Sequence, residues 1–395
     1  MKLLILAGEE SGVHYARRIA DAVRERDPSV EVRGYSDYGF RTADLAVFGI
    51  WAVLRRIFYF LRVKRTMERA IDEWRPDAVC TVDYPGMNLK LAAYAKSKGI
   101  RAVHVVCPQV WAWHQGRVPR IERSLDRLCC FFPFEPSIFR GGFAAFVGHP
   151  LVQEFANATA SEARPAGARP LVAVLPGSRL GEIEKHLPTL LDAVAPMEDV
   201  EVVIPAANDR ARSAIDRIVA SRRPPDANGG PRIAVQSGGA RELLMRADAA
   251  AVASGTATLE AALAGCPTVL VYRVSPLLAF ILRRAITGVK HVGLANIIAE
   301  KSGAECPMPE LLQENFTAEA TRSWLEKWLR DPAERRKASD ALAKAVALLS
   351  ADGDSYAKIA EEIFKSGVHG MDFNIAKSKG EKHSLRAHTG GVFLV

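Results

Sequence analysis

Short apolar runs recur along the chain with helical patterns between them, and this alternation restricts the fold more than any other feature. Leu3 to Ala7, Val30 to Arg33, Ala78 to Val82, Ala102 to Val106 and Leu128 to Phe132 read as buried strands separated by segments of helical pattern. Strands separated by whole helices cannot close as hairpins; they form βαβ units, and a series of such units makes a parallel sheet. After Val152 the composition turns to Ala, Arg, Pro and Gly, from Ala156 to Pro170, which marks a linker. A second series follows, with strands at Leu171 to Leu175, Glu201 to Ile204, Ile233 to Val235, Ala249 to Ala253 and Thr268 to Tyr272. At 395 residues the chain exceeds what one ordinary core accommodates. The expected architecture is α/β: two Rossmann-like, doubly wound parallel-sheet domains facing across a cleft, over residues 1–155 and 170–350. Residues 351–365 are expected as a helix that packs back on the N-terminal domain, and 366–395 as a disordered tail.

Charge and cysteine usage narrow the class. A net charge of +8 favours an anionic partner such as phosphate, nucleic acid or acidic lipid. No nucleic-acid-binding motif or concentrated basic stripe accompanies it, so nucleic acid is not expected. The six cysteines are scattered without CxxC spacing, several inside strand-like runs, as buried thiols in a reducing compartment would be. The apolar start meets Glu9 and Glu10 too soon for a signal peptide, and no apolar run reaches the roughly 18 residues of a membrane span. A cytoplasmic protein is expected, with no cofactor and, for want of a carboxylate pair at metal spacing, no metal.

In doubly wound sheets ligands bind beyond the carboxyl ends of the strands, so chemistry is sought in the loops that follow them. Ser254-Gly255-Thr256 follows one strand and opens a helix, offering backbone N–H groups to an anion, with Glu260 one turn on for ribose hydroxyls; an ordinary N-cap is the plain alternative. Pro176-Gly177-Ser178-Arg179 also joins strand to helix and adds a glycine and a guanidinium suited to phosphate. Two such loops in one half point to a nucleotide, although neither is a Walker loop nor a full GxGxxG. In the first half, Asp83 ends a strand before Pro85-Gly86, placed either as a general base or as a turn former. Gly8-Glu9-Glu10-Ser11-Gly12 ends the first strand and would present Glu9 to the same cleft, unless it is a plain βα turn. Trp111 and Trp113 could stack on sugar or pack a core, and His149 could meet phosphate or fill a hinge.

Phe48 to Leu61 is apolar and interleaved with or followed by Arg55, Arg56, Arg62, Lys64 and Arg65. Phe48, Ile50, Trp51, Leu54, Ile57, Phe58 and Leu61 would form the apolar face of a helix lying in a membrane interface, against the alternative of a core helix. Leu277 to Arg284 repeats the theme.

Taken in order, Gly8 to Gly12, Val82 to Asn88, Val110 to Trp113, Phe134-Glu135, Gly148-His149-Pro150, Leu175 to Arg179, Ser254 to Glu260 and Asn296-Ile297 resemble the lipid A disaccharide synthase family, inverting glycosyltransferases of GT-B architecture. The resemblance runs from the first strand to about Gln313. It implies transfer of 2,3-diacylglucosamine from a UDP-2,3-diacylglucosamine donor to the 6-hydroxyl of a diacylglucosamine 1-phosphate acceptor. It also implies Asp83 as general base and Glu9 beside the reacting sugars. Ser11, Gly177, Ser178, Arg179, Ser254, Gly255, Thr256, Glu260 and Asn296 would bind the nucleotide sugar. Peripheral association with the inner membrane follows from acyl chains that stay in the bilayer, and a homodimer is compatible with the sequence. The family usually has an acidic residue where Val13 stands, before His14. A GT-B UDP-GlcNAc 2-epimerase, or a non-catalytic nucleotide-sugar-binding protein at the membrane, would keep the fold and change the chemistry.

Overall fold

The apolar runs of the first half become six strands: β1 (Lys2–Ala7), β2 (Glu31–Arg33), β3 (Ala78–Val82), β4 (Arg101–Val105), β5 (Arg127–Cys130) and β6 (Ala144–Phe146). Those of the second half become β7 (Leu171–Leu175), β8 (Glu201–Ala206), β9 (Arg232–Ser237), β10 (Ala249–Ala253), β11 (Thr268–Tyr272) and β12 (Glu310–Leu312). The computed structural model describes residues 1–45, 56–158, 167–222, 230–285 and 288–365. All pairings in both sheets are parallel, and helices cover both faces, which is why β3, β7 and β10 are buried at every position.

Strand order fixes where each sheet opens. The first sheet runs β2-β1-β3-β4-β5-β6 and the second β12-β11-β10-β7-β8-β9. In each, the chain starts on an inner strand, builds to one side, then returns to build on the other. The reversal falls between β1 and β3 in the first sheet and between β7 and β10 in the second. At these points successive helices leave to opposite faces and the strand-end loops part, leaving a crevice. Edge strands β6 and β12, three residues each and only partly buried, were not expected from the sequence.

The chain crosses between domains twice. It leaves through the helix Pro150–Ala156 and returns after the helices Ala318–Arg330 and Pro332–Ala347. The two crossings lie side by side: the His149 N–H donates to the Leu349 carbonyl at 3.0 Å, and the Gln153 side chain bonds the backbone of Gly353 and Ser355. The final helix, Ser355–Phe364, packs Tyr356, Ile359, Ala360 and Ile363 into the first domain's core with Leu3, Ile5 and Ile19.

The helix Ile57–Trp74 continues well past Leu61. Its buried residues Phe60, Val63, Met67, Ala70, Ile71 and Trp74 recur at three- and four-residue spacing and face the sheet, while Ile57, Phe58 and Leu61 are exposed. Core and surface roles therefore coexist on one helix. Phe48, Ile50, Trp51 and Leu54 lie outside the described residues.

The last helix is pinned by charge as well as by packing. Glu362 is 6% exposed and accepts from Arg127 Nη2 at 2.9 Å, and Arg101 donates to its carbonyl at 2.8 Å. Burial raises the Glu362 pKa, but Arg127 and Lys365 outweigh it and hold the carboxyl below its ordinary value. Removing this carboxylate leaves Arg127 half-buried without its anion. Glu362→Ala is expected to lower stability by about 3 kcal/mol in urea unfolding; an unchanged midpoint would show that packing alone holds the helix.

Candidate active site

Register brings the first-domain loops together. Ala7 pairs with Val82, so the segments beginning at Gly8 and Asp83 leave adjacent strand ends at the β1/β3 reversal. Asp83 and Tyr84 both take left-handed backbone, with φ of 50° and 51°, an uncommon conformation for non-glycine residues that stores strain. What holds them is Asn88, fully buried, whose Nδ2 lies within hydrogen-bonding distance of the carbonyls of Leu6 (3.0 Å), Val82 (3.1 Å) and Asp83 (2.8 Å). Its Oδ1 accepts from the Tyr35 hydroxyl at 2.9 Å. One amide side chain thus ties the ends of β1 and β3 to the turn that presents Asp83. The Tyr84 ring lies against Gly8, where a Cβ would come within 2.4 Å of it, so the first loop admits only glycine there without movement.

Glu9 is the residue before the helix Glu10–Arg26. Burial raises its pKa, the nearby Asp83 raises it further, and Arg179 from the other domain pulls it down. Burial likewise raises Asp83, opposed by a hydrogen bond from the Tyr84 backbone. A carboxyl that is half-buried beside another carboxyl resists ionising, which makes it a stronger proton acceptor than a free one. Ser11 is exposed on the first turn of the same helix. Val13 packs against the first core, and His14 Nε2 lies 2.8 Å from Glu154 Oε1.

The second-domain loops meet in the same way. Leu175 pairs with Val252, so the segments Pro176–Arg179 and Ser254–Thr256 leave neighbouring strand ends at the β7/β10 reversal. Gly177 takes φ +113° and Gly255 φ +153°, both outside the range of L side chains. Ser178, Arg179 and Thr256 are exposed, and Ser254 is half-buried. The helix Thr256–Leu263 begins after Gly255 with no side-chain cap, so the plain N-cap alternative is not realised; its first-turn N–H groups face the loop end. Arg179 Nη1 donates to Glu182 Oε1 at 3.2 Å. Glu260 is partly buried, and burial raises its pKa against the opposing charge of Arg241.

Several residues take other places than expected. Asn296 is fully buried and spent inside the fold: its Nδ2 donates to Met308 O and Glu310 Oε1, both at 2.8 Å, and its Oδ1 accepts from Met308 N. It can shape the site wall but offers no polar atom to a ligand. His149 is buried and pushed down to about 4, hence neutral, with Nδ1 accepting from Leu151 N, which makes it hinge packing. Trp111 is core rather than platform, edge-on to Phe132 and Phe134. Among the described residues, Cys107, Cys130 and Glu135 bring ligand-type atoms within 4.8 Å of one another, but in a buried pocket that keeps them protonated. The Cys107 thiol is raised by its hydrogen bond with Cys130 and by burial, and the Glu135 carboxyl is pushed by burial up to about 8.

Two groups escaped sequence reasoning. Asn88 was legible only as part of a motif, since nothing local announces that its amide spans two strands. Glu154 binds His14, the Tyr356 hydroxyl at 3.0 Å and Arg241 at 3.2 Å, partners 87 to 202 residues away.

Two parallel-sheet domains, each opening at a strand-order reversal, have the GT-B architecture. Solved structures share the fold: S. aureus MnaA in a UDP co-structure (TM-score 0.60, 11% identity, 92% of this chain and 95% of that one) and Acinetobacter baumannii MurG (TM-score 0.55, 15% identity, 92% and 99%). The chain belongs to the lipid-A-disaccharide synthetase family, whose model matches residues 3–364. Among its curated relatives, lipid-A-disaccharide synthases, the protein of Syntrophus aciditrophicus is 35% identical over 85% of this chain and 90% of its own length. That of Anaeromyxobacter dehalogenans (strain 2CP-C) is 35% identical over 92% and 96%.

The Asn88 clamp yields a test of the site's construction. Asn88→Ala strands the Leu6, Val82 and Asp83 carbonyls and is expected to cost about 1–3 kcal/mol in chemical unfolding. Transferase activity of the variant should fall further than the folded fraction does. Full activity per folded molecule would show that Asp83 keeps its place unaided.

Proposed function

We propose that this chain joins two acylated glucosamines. The 6-hydroxyl oxygen of 2,3-diacylglucosamine 1-phosphate bonds to the anomeric carbon of UDP-2,3-diacylglucosamine. The bond from that carbon to the diphosphate breaks, and its electron pair leaves with UDP. Attack opposite the leaving group inverts the anomeric centre and gives a β(1→6) disaccharide 1-phosphate. Asp83 takes the hydroxyl proton, and burial, which raises its pKa, makes it a stronger base than a free carboxylate. Glu9 borders the reacting sugars. Arg179, the Gly177-Ser178 backbone and the helix N-terminus behind Ser254, Gly255 and Thr256 receive the negative charge that develops on the departing diphosphate. Glu260 holds the ribose hydroxyls, Ser11 borders the donor, and Asn296 keeps the wall of the nucleotide site in shape.

The observation that carries this reading is placement: Glu9 and Asp83 follow adjacent strand ends at one reversal, and Arg179 and the Ser254–Thr256 turn follow adjacent strand ends at the other. The charge of Arg179, acting on Glu9 from the other domain, supports a shared cleft. The test supplies donor and acceptor in detergent micelles and measures UDP. Asp83→Asn should lower kcat by about 10²–10⁴-fold with donor KM little changed; acceptor-dependent UDP release at the wild-type rate would remove Asp83 from the mechanism.

The acylated partners imply a surface at the inner face of a membrane. No helix among the described residues is long and apolar enough to cross one. Phe58 is 82% exposed, with Ile57 and Leu61 beside it and Arg62, Lys64 and Arg65 following. Phe280, 53% exposed, stands on the helix Pro276–Ala285 with Arg284 stacked at 4.2 Å. Apolar tips ringed by cations suit reversible seating on anionic lipid, with each inserted large side chain contributing about 1.5–3 kcal/mol. Phe58→Ser with Phe280→Ser is expected to release the protein from phosphatidylglycerol-containing vesicles in flotation while leaving its thermal midpoint unchanged; undiminished flotation would place the contact elsewhere.

A further inference from the structure

Apart from the two chain crossings, the domains meet at a joint that no catalytic role explains. Trp111 and Ala112, on the loop after β4, press their backbone against Gly288 of the second domain. The Gly288 N–H donates to Ala112 O at 3.1 Å, and a Cβ at Gly288 would lie 2.0 Å from Trp111 O, so only glycine permits the approach. Lys301 Nζ donates to Gly288 O at 2.6 Å, and Trp111 and Ala112 pack with Ile297, the neighbour of Asn296. The first-domain loop therefore bears directly on the wall of the nucleotide site.

What fixes that loop is one side chain. Glu135, 1% exposed, accepts the Trp111 indole N–H at 3.0 Å on one carboxyl oxygen and the Phe132 N–H at 3.1 Å on the other. Among the described residues, the titratable groups that share its pocket are the thiols of Cys107 and Cys130. An acid so enclosed is retained at the cost of desolvation, which an apolar residue of similar size would avoid.

We propose that Glu135 is a positioning residue for the transfer reaction: by gripping the Trp111 indole it seats the Trp111-Ala112 backbone on Gly288. It thereby sets the angle at which the Asp83 loop meets the nucleotide loops. This rests on the transferase reading above, and it predicts a larger effect on turnover than on UDP binding, because the loops proposed to grip the diphosphate all stand on the second domain.

Trp111→Phe keeps the ring and deletes the indole N–H; Glu135→Leu deletes the acceptor; Glu135→Gln keeps one acceptor oxygen for the indole. The first two are expected to lower kcat about tenfold or more, as misplaced reacting groups do, with UDP affinity by calorimetry within about twofold of wild type. Glu135→Gln should recover most of the rate. Small-angle scattering of the full chain with UDP should show a changed domain separation in Trp111→Phe. Wild-type kcat in Trp111→Phe would overturn the proposal, as would UDP affinity falling in step with kcat in Glu135→Leu. Should Glu135→Leu fail to fold, Trp111→Phe decides alone. If the wild type releases no acceptor-dependent UDP, the transferase reading fails, and the scattering result still decides whether Glu135 and Trp111 set the domain angle.

Discussion

A parallel sheet can begin on an inner strand only by reversing its direction of growth once, and that reversal is the constraint on which this molecule depends. Each reversal parts two strand-end loops that would otherwise be bridged by helices on one face. Here one reversal delivers Glu9 and Asp83, and the other delivers Arg179 and the Ser254-Gly255-Thr256 turn. No long insertion is needed to assemble the site. Two repeats of the same winding rule, faced toward each other, place acid opposite cation.

Much of this was legible because the residues that make the sheets do so by local chemistry. Continuous apolar runs such as Ala78–Val82 and Ala249–Ala253 announce strands covered on both faces, and the loops after them are where ligands must bind. The edge strands β6 and β12 were not legible: at three residues each, with one side unpaired, they lack the buried run that marks inner strands. Asn296 was expected at the nucleotide only through the family resemblance; its bonds to Met308 and Glu310 could not be read from the sequence around it. Sequence spacing carries the periodicity of one element but not the partner supplied from another.

The buried polar side chains divide by what they hold. Asn88 clamps a strained turn, Asn296 a loop carrying Met308 and Glu310, and His186 joins Pro176 O to the Arg273 backbone at 2.9 and 3.1 Å. Each bonds main-chain groups at a strand end, where regular ladder bonds stop and donors or acceptors would otherwise be left in a dry interior. These residues act on chemistry through backbone position. Ser178, Arg179 and Thr256, by contrast, are exposed at the ends of the same strands.

Glu154 adds a charged counterpart to this scheme at the crossing between domains. It stands on the outgoing helix Pro150–Ala156 and receives the Tyr356 hydroxyl from the returning chain, His14 from the first domain and Arg241 from the second. Burial raises its pKa, yet the bonds to His14 and Tyr356 outweigh burial, so the carboxylate stays ionised where the chain passes between domains. Arg241 is stacked over Phe155 at 4.7 Å and also lowers Glu260 beside the nucleotide loops. With side-chain exposures of 28% and 15%, the Arg241–Glu154 pair is partly screened and contributes modestly to stability. Its value lies in geometry: one cation is shared between the hinge carboxylate Glu154 and Glu260 in the second domain.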